Sequence, residues 1–383
     1  MRRDPHAGFG ERPGETDREQ PRHRAPGRLD QLDAIAARFL AALAGVVPAL
    51  VAGADAVAYV DIDDTVRATY GSAKQGAGYG YSRVKGLNLL LATLCTPTAA
   101  PLIVATRLRA GATNSARGAA RLVTDALTTA RRAGVSGLLT LRADSAYYNA
   151  AVVAAARRAG ARFSITARMD PAVKRAIAAI GEDEWTPIKY PKAVWDADEG
   201  RWVSDAQVAE IPFTAFTSRR KAEHVTARLI VRRVKRLNPA SVPAGQGELF
   251  TTWRHHAVFT DSPLEMLAAE ASHRDHAVIE QVIADLKDGP LAHLPSGRFN
   301  ANGAWAVLAA VAFNLTRAAG TLASKAHARA RTGTIRTQLI TVPARIATTA
   351  RRLHLHLPQR WPWQNAYTRL FERTCGPPQT ATT

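Results

Sequence analysis

Between residues 55 and 170 the chain lays down short apolar runs in an order few folds accommodate. The segment DAVAYVDIDDTVRATYG alternates with period two, placing Val57, Tyr59, Asp61 and Asp63 on one face of a strand and Ala58, Val60, Ile62 and Asp64 on the other. GLNLLLATLC and PLIVATRLRAG follow, joined by a Thr-Pro turn, and predict an antiparallel pair. Residues 115–133 carry an amphipathic helical pattern ending at Gly134. GLLTLRAD at 137–144 reads as a strand buried on both faces, residues 147–159 as a helix, and RFSITAR as one more strand. With a helix expected from Leu29, the order is β-β-β-α-β-α-β, with acidic residues at the ends of the first and fourth strands. This is an α/β arrangement on a mixed sheet, and residues 29–170 are assigned to it.

The flanking regions differ in character. Residues 1–28 combine Pro, Gly and charge without periodicity, the signature of a disordered segment. Residues 171–260 hold β-prone runs such as AEIPFTAF, ARLIVRRV and FTTWRHHAVFT broken by Pro and Gly, and are expected to form a β-rich insertion. Within it, Trp253 is expected in the insertion's own core, with stacking on an unpaired base as the alternative. Residues 261–330 return to helical periodicity, including the long apolar run 301–325. Residues 331–383 form a C-terminal extension in which LITVPARIATTARRLHLHLP offers a strand pair.

Charge points to the partner. The net charge is +19 and the isoelectric point near 10.7, the balance expected of a protein that meets a polyanion. Two basic runs on adjacent β segments (Arg219, Arg220 and Lys221, then Arg232, Arg233, Lys235 and Arg236) are expected to contact phosphate. Lys74, Arg83 and Lys85, in a Gly-rich loop after the first strand, are expected either to touch a nucleic-acid backbone or to lie on a solvated loop. That loop lacks the GK[ST] ending of a phosphate-binding P-loop. Cys95 and Cys375 have neither metal-ligand spacing nor a disulfide framework, and no signal peptide or membrane-length apolar run is read. A cytoplasmic protein is the expectation.

Three acidic sites stand beside apolar stripes: DIDD at 61–64, RADSAYY at 142–148, and Glu280. Carboxylates gathered at strand ends repel one another unless a cation lies between them, and hard oxygen ligands suit Mg²⁺ or Mn²⁺. A pair of such ions supports in-line phosphodiester displacement. The bland alternatives are a solvated turn for DIDD and a helix cap for Asp144. In HRDHAVIEQVIADLKDG, residues 273–289, helical spacing puts Ile279, Val282, Ile283 and Leu286 on one stripe and His273, His276, Glu280 and Lys287 on another. That second stripe is open to three readings: a zinc-binding His₂Glu set, a carboxylate presented to DNA, or a solvated face.

Taken in sequence, DIDDTV, YGSAKQGAGYGYSRVKGLN, LRADSAYY and HRDHAVIEQVIADLKDG resemble the DDE transposases of bacterial insertion sequences, most closely the group called insertion sequence family 1380. The resemblance spans about residues 30–350. It implies a ribonuclease-H-like catalytic core with a β-rich insertion before the last acid. It also implies metal-dependent cleavage at insertion-sequence ends and joining of the 3′-hydroxyl to target DNA. By that resemblance the acids are Asp63, with Asp61 as competitor, Asp144 and Glu280, holding two Mg²⁺ or Mn²⁺ ions. Lys287 falls seven residues after Glu280, as the pattern Tyr-x2-Arg-x3-Glu-x6-Lys requires. His273 and His276 replace the Tyr and Arg of that pattern, so these two and Arg274 are expected to face DNA. The implied partners are terminal inverted repeats and target DNA, met by a homodimer on paired ends in the bacterial nucleoid. A truncated, silent DNA-binding remnant and a ribonuclease-H-like nuclease without transposition are the rivals.

Overall fold

The computed structural model describes residues 28–70, 73–196, 201–235, 253–358 and 360–376. The expected disordered segment 1–28 lies outside these except for Arg28.

Helix α1 (Arg28–Val46) leads into strand β1 (Val57–Ala68). The two-residue strand β2 (Gly78–Tyr79), β3 (Lys85–Cys95) and β4 (Leu102–Ala110) follow. Then come α2 (Ala119–Arg132), β5 (Leu138–Ala143), α3 (Ala150–Arg158) and β6 (Arg162–Thr166). β3 pairs antiparallel with both β1 and β4, whereas β1–β5 and β5–β6 are parallel. The parallel steps are the ones bridged by helices, because a parallel return needs a crossover that a tight turn cannot supply. The spatial order β4-β3-β1-β5-β6 is the ribonuclease-H-like mixed sheet that the resemblance implied.

After α4 (Pro171–Ala178) come β7 (Thr186–Asp196), β8 (Arg201–Ala215), β9 (Val225–Lys235) and β10 (Trp253–Thr260). These β-prone runs do form strands, but not a sheet of their own. β10 pairs antiparallel with β6 and β9, so the core sheet continues as β6-β10-β9-β8-β7 into one ten-stranded sheet among the described residues.

Helices cover both faces. On one, Ala58, Val60 and Ile62 of β1 and Leu139 and Leu141 of β5 pack with Leu122, Val123 and Leu127 of α2 and Val152 and Val153 of α3. The other is covered in part by α5 (Met266–Arg274), α6 (Val278–Lys287) and α7 (Phe299–Ala323). There Leu87, Leu89 and Leu91 of β3 meet Ile279, Val282, Ile283 and Leu286 of α6 and Phe313 of α7. The stretch 273–289 is therefore two helices, joined by a 3-10 turn at Asp275–Ala277.

α7 is long and apolar enough to cross a membrane, but its inner side is built for this core. Asn314 is buried and pairs with both backbone groups of Ile103 on β4, accepting from its N–H at 2.8 Å and donating to its carbonyl at 2.7 Å. Arg317 reaches Asp285 of α6. Beyond α7 lie α8 (Lys325–Arg329), α9 (Thr332–Ile335), the expected strand pair β11 (Arg345–Thr349) and β12 (Arg352–His356), and α10 (Gln364–Cys375).

Candidate active site

Strand register brings the acids together. In the parallel β1–β5 pair Asp61 lies opposite Arg142 and Ile62 opposite Ala143, so the next step along sets Asp63 beside Asp144. Both acids share the face of the sheet on which α5 and α6 pack. β1 outruns β5 at this point, which leaves Asp63 half-buried at the rim of the core.

The four carboxylates of this region have different fates. Asp61 is fully buried and grips Arg142 bidentately, Oδ1 to Nε at 2.6 Å and Oδ2 to Nη2 at 2.8 Å. The same guanidinium lies over the Tyr59 ring and donates to the Ser272 carbonyl of α5 at 2.5 Å. Asp64, on the opposite face, accepts from the Tyr147 hydroxyl at 2.9 Å, from Arg109 Nη2 at 2.8 Å and from Asn88. Both are consumed in holding the strands.

Asp63 accepts only from the Asp64 backbone N–H, at 2.7 Å, among the bonds of the described residues. Its pKa is pushed up to about 7, first by burial and then by the negative charges of Asp144, Asp64 and Glu280. Asp144 caps the 3-10 turn Ser145–Tyr147, accepting from Ala146 N–H at 3.0 Å, so the bland reading of this residue is also realised. Burial and the neighbouring Asp64 raise its pKa as well. Glu280, on the exposed first turn of α6, joins the group through its effect on Asp63.

Cations border the cluster. Lys287 is half-buried, and its pKa is lowered by burial and by Arg67, with Asp63 acting in the opposite direction. Arg67 is on the same face of β1, four residues beyond Asp63. Its Nε is buried without a hydrogen-bond partner among the described residues. The sequence reading missed Arg67, although period-two spacing from Asp63 would have found it. It also missed the anchor formed by Asp64, Tyr147, Arg109 and Asn88.

His276 donates from Nδ1 to the His273 carbonyl at 2.6 Å, and its charge acts on both Asp144 and Asp61. His273 requires correction. It is buried, with Nδ1 on Ser164 Oγ at 3.0 Å and Nε2 on Thr166 Oγ1 at 2.9 Å, and burial drives its pKa to about 3. A neutral imidazole spent on two hydroxyls neither faces DNA nor ligates zinc.

The basic runs need similar correction. Arg232 is buried and donates to Glu270 at 2.6 Å, while the half-buried Arg274 meets the other oxygen of that carboxylate at 2.9 Å. Arg233 is buried, donates twice to Glu182 and lies over the rings of both Trp185 and Trp253. Consecutive strand residues point to opposite faces of the sheet, and here each face is covered, one by Glu270 of α5 and the other by Glu182, Trp185 and Trp253, so both arginines are buried despite the basic run. Trp253 is thus half-buried against Arg233. Lys74 is half-buried, with its ammonium on the Leu294 carbonyl. Arg219, Arg220, Lys221 and Arg83 are exposed and Lys85 is half-buried. The Lys235 side chain and Arg236 lie outside the described residues.

Asp63 and Asp144 suit a divalent cation, since burial beside like charge is relieved by positive charge and both offer hard oxygens. Among the described residues, however, no three His, Cys, Asp or Glu side chains converge at metal-ligand distance.

Comparison with curated proteins finds no match. Among solved structures, the chain is similar to a piggyBac transposase in a cryo-EM synaptic complex with hairpin DNA, at 10% identity and a TM-score of 0.36. The alignment covers 73% of this chain and 51% of that one, so this chain spans about half the length of that transposase. At that distance the likeness supports no inference about chemistry. The family profile described as Transposase DDE domain group 1 matches residues 31–375, and the chain therefore belongs to that family.

Proposed function

We propose that this protein is a DNA transposase that cleaves insertion-sequence ends and transfers the freed 3′-hydroxyl to target DNA. Asp63, Asp144 and Glu280 are its acids. The observation that carries this reading is the register of β1 and β5, which sets Asp63 beside Asp144 on the face from which α6 brings Glu280. Asp61, the competitor for the first acid, is committed to Arg142, which favours Asp63. The order of motifs supports placement in the insertion sequence family 1380 group.

DDE transposases use divalent metal ions. Here Asp63 and Asp144, joined by Glu280, would hold two Mg²⁺ or Mn²⁺ ions, which when bound supply the Lewis acidity that phosphodiester displacement needs. The chain's own residues do the remaining work. Arg142 fixes β1 against β5 and, through Ser272, against α5, so the strand bearing Asp63 and the turn bearing Asp144 keep their register. Tyr147 bonds Asp64 and ties that turn to β1 from the other face. Lys287 contacts a phosphate next to the acids, and His276 faces DNA beside them, together with Arg219, Arg220, Lys221, Arg83, Lys85 and the outer edge of Arg274. Terminal inverted repeats and target DNA are the substrates, held by a homodimer on paired ends.

The test is a joining assay with a pre-cleaved terminal repeat, a supercoiled target and Mg²⁺. Joined products from the wild type and none from Asp63→Asn support the reading. Cutting without preference for repeat-bearing DNA would identify a ribonuclease-H-like nuclease instead. Repeat binding without cutting or joining would identify a silent remnant.

A further inference from the structure

The end of the sheet beyond the acids has a composition of its own. Residues 65–86 contain no Asp or Glu and four Lys or Arg. Within that span three tyrosines are exposed: Tyr70 at 94%, Tyr79 at 68% and Tyr81 at 105% relative exposure. A tyrosine ring left in water forgoes the burial that favours its usual placement, and clustered exposed rings beside cations mark a binding surface.

The segment that carries them is fastened at several points. Gln75 takes the Gly297 carbonyl with its backbone N–H at 2.9 Å and accepts from Phe299 N–H with its side chain at 3.1 Å, at the start of α7. Lys74 bonds the Leu294 carbonyl, and Gly111 N–H bonds the Gly76 carbonyl at 2.9 Å. Gly76 itself has φ +80°, and a Cβ there would meet Phe299 at 2.8 Å. Only glycine lets the loop lie this close to α7, so the tyrosines are presented from a fixed base.

Register places this surface on the track of the acids. Asp63, Thr65, Arg67 and Thr69 alternate along one face of β1 and its extension. Thr69 N–H bonds the Lys85 carbonyl at 3.0 Å, and Lys85 pairs with Tyr79 of β2. Six residues of strand separate Asp63 from this level, about 20 Å at ~3.3 Å per residue. One DNA strand advances ~3.4 Å per nucleotide, so the distance corresponds to about six nucleotides.

We propose that residues 69–70 and 78–85 form a DNA-docking arm that engages the duplex about six nucleotides from the phosphate held at Asp63. Arg67, Arg83 and Lys85 neutralise backbone phosphates along the track, and Tyr70, Tyr79 and Tyr81 pack their rings on the sugars and offer their hydroxyls to phosphate oxygens. Duplex DNA is the occupant because the segment itself has no carboxylates, carries cations and continues the face on which the acids lie. The inference rests on the reading of Asp63, Asp144 and Glu280 as a site for DNA.

The experiment uses full-length protein carrying Asp63→Asn and a terminal-repeat duplex. Affinity, its salt dependence and hydroxyl-radical footprints are compared with and without Tyr79→Ala, Tyr81→Ala, Arg83→Gln and Lys85→Gln added together. The expected result is binding weaker by roughly tenfold or more, a salt slope reduced by about 2, and loss of protection about six nucleotides from the cut. Circular dichroism of the substituted protein should match that of the parent, which shows that the fold is kept. Unchanged affinity and footprint overturn the arm while leaving the acid site intact. Loss of self-association in light scattering with unchanged DNA binding also overturns it, by assigning the surface to a second copy. If the Asp63→Asn parent binds no DNA of any sequence, the underlying reading fails together with the arm.

Discussion

Asp63, the proposed first acid, differs from its neighbours in how few partners hold it. Its neighbours Asp61 and Asp64 are saturated by arginine and other donors, whereas Asp63 keeps a carboxylate half-buried among like charges. Its folded-state pKa of about 7 lies above the ordinary value of 3.8, so folding favours the protonated form and the carboxylate costs stability as pH rises from about 4 to 7. Without divalent ions, Asp63→Asn should therefore stabilise the fold at pH 8 by on the order of 1–4 kcal/mol, seen as a higher melting temperature, and the gain should vanish near pH 4. Thermal melts across that range check this. His273 behaves in the opposite sense. Its pKa, near 3 when folded against about 6.5 when unfolded, supports the fold above pH 6.5 and withdraws that support as pH falls. His273→Gln should flatten the stability loss between pH 6.5 and 4 in denaturant titrations, at a cost of roughly 1–3 kcal/mol at neutral pH.

At the scale of elements, period-two alternation was enough to place Asp61 and Asp63 on one face of β1. It did not reveal that an arginine on β5 would claim Asp61, because that pairing depends on the parallel register between two strands 81 residues apart in sequence. The same limit hid the inward direction of Arg232 and Arg233, whose carboxylate partners come from an α-helix and a 3-10 turn. In 273–289 the apolar stripe was legible, but the 3-10 turn was not. That turn lets α5 point His273 inward while α6 presents Glu280 outward. Arg142 joins β1, β5 and α5 at one buried guanidinium. Arg142→Met leaves Asp61 buried and unpaired, and should cost about 3–5 kcal/mol in chemical denaturation. Asp61→Asn combined with Arg142→Met should cost less than the sum of the two single changes.

For the whole molecule, element order was sufficient for a mixed α/β sheet, and composition carries the expectation of a polyanion partner. That β7–β10 extend the core sheet was not legible, since edge-to-edge pairing of β6 with β10 is set by which strand edges remain open. One consequence is cooperative. Amides of β10 and β6 should exchange with similar protection in native-state hydrogen exchange, as parts of one unit. Markedly earlier opening of β10 would separate the outer strands from the core. The most direct test of the central claim is single-turnover nicking of terminal-repeat DNA in Mg²⁺ by the wild type, Asp63→Asn, Asp144→Asn and Glu280→Gln. The account predicts that each substitution slows nicking by a factor on the order of 10³ or more while the proteins still bind the DNA. A rate within tenfold of wild type for any one of the three would contradict it.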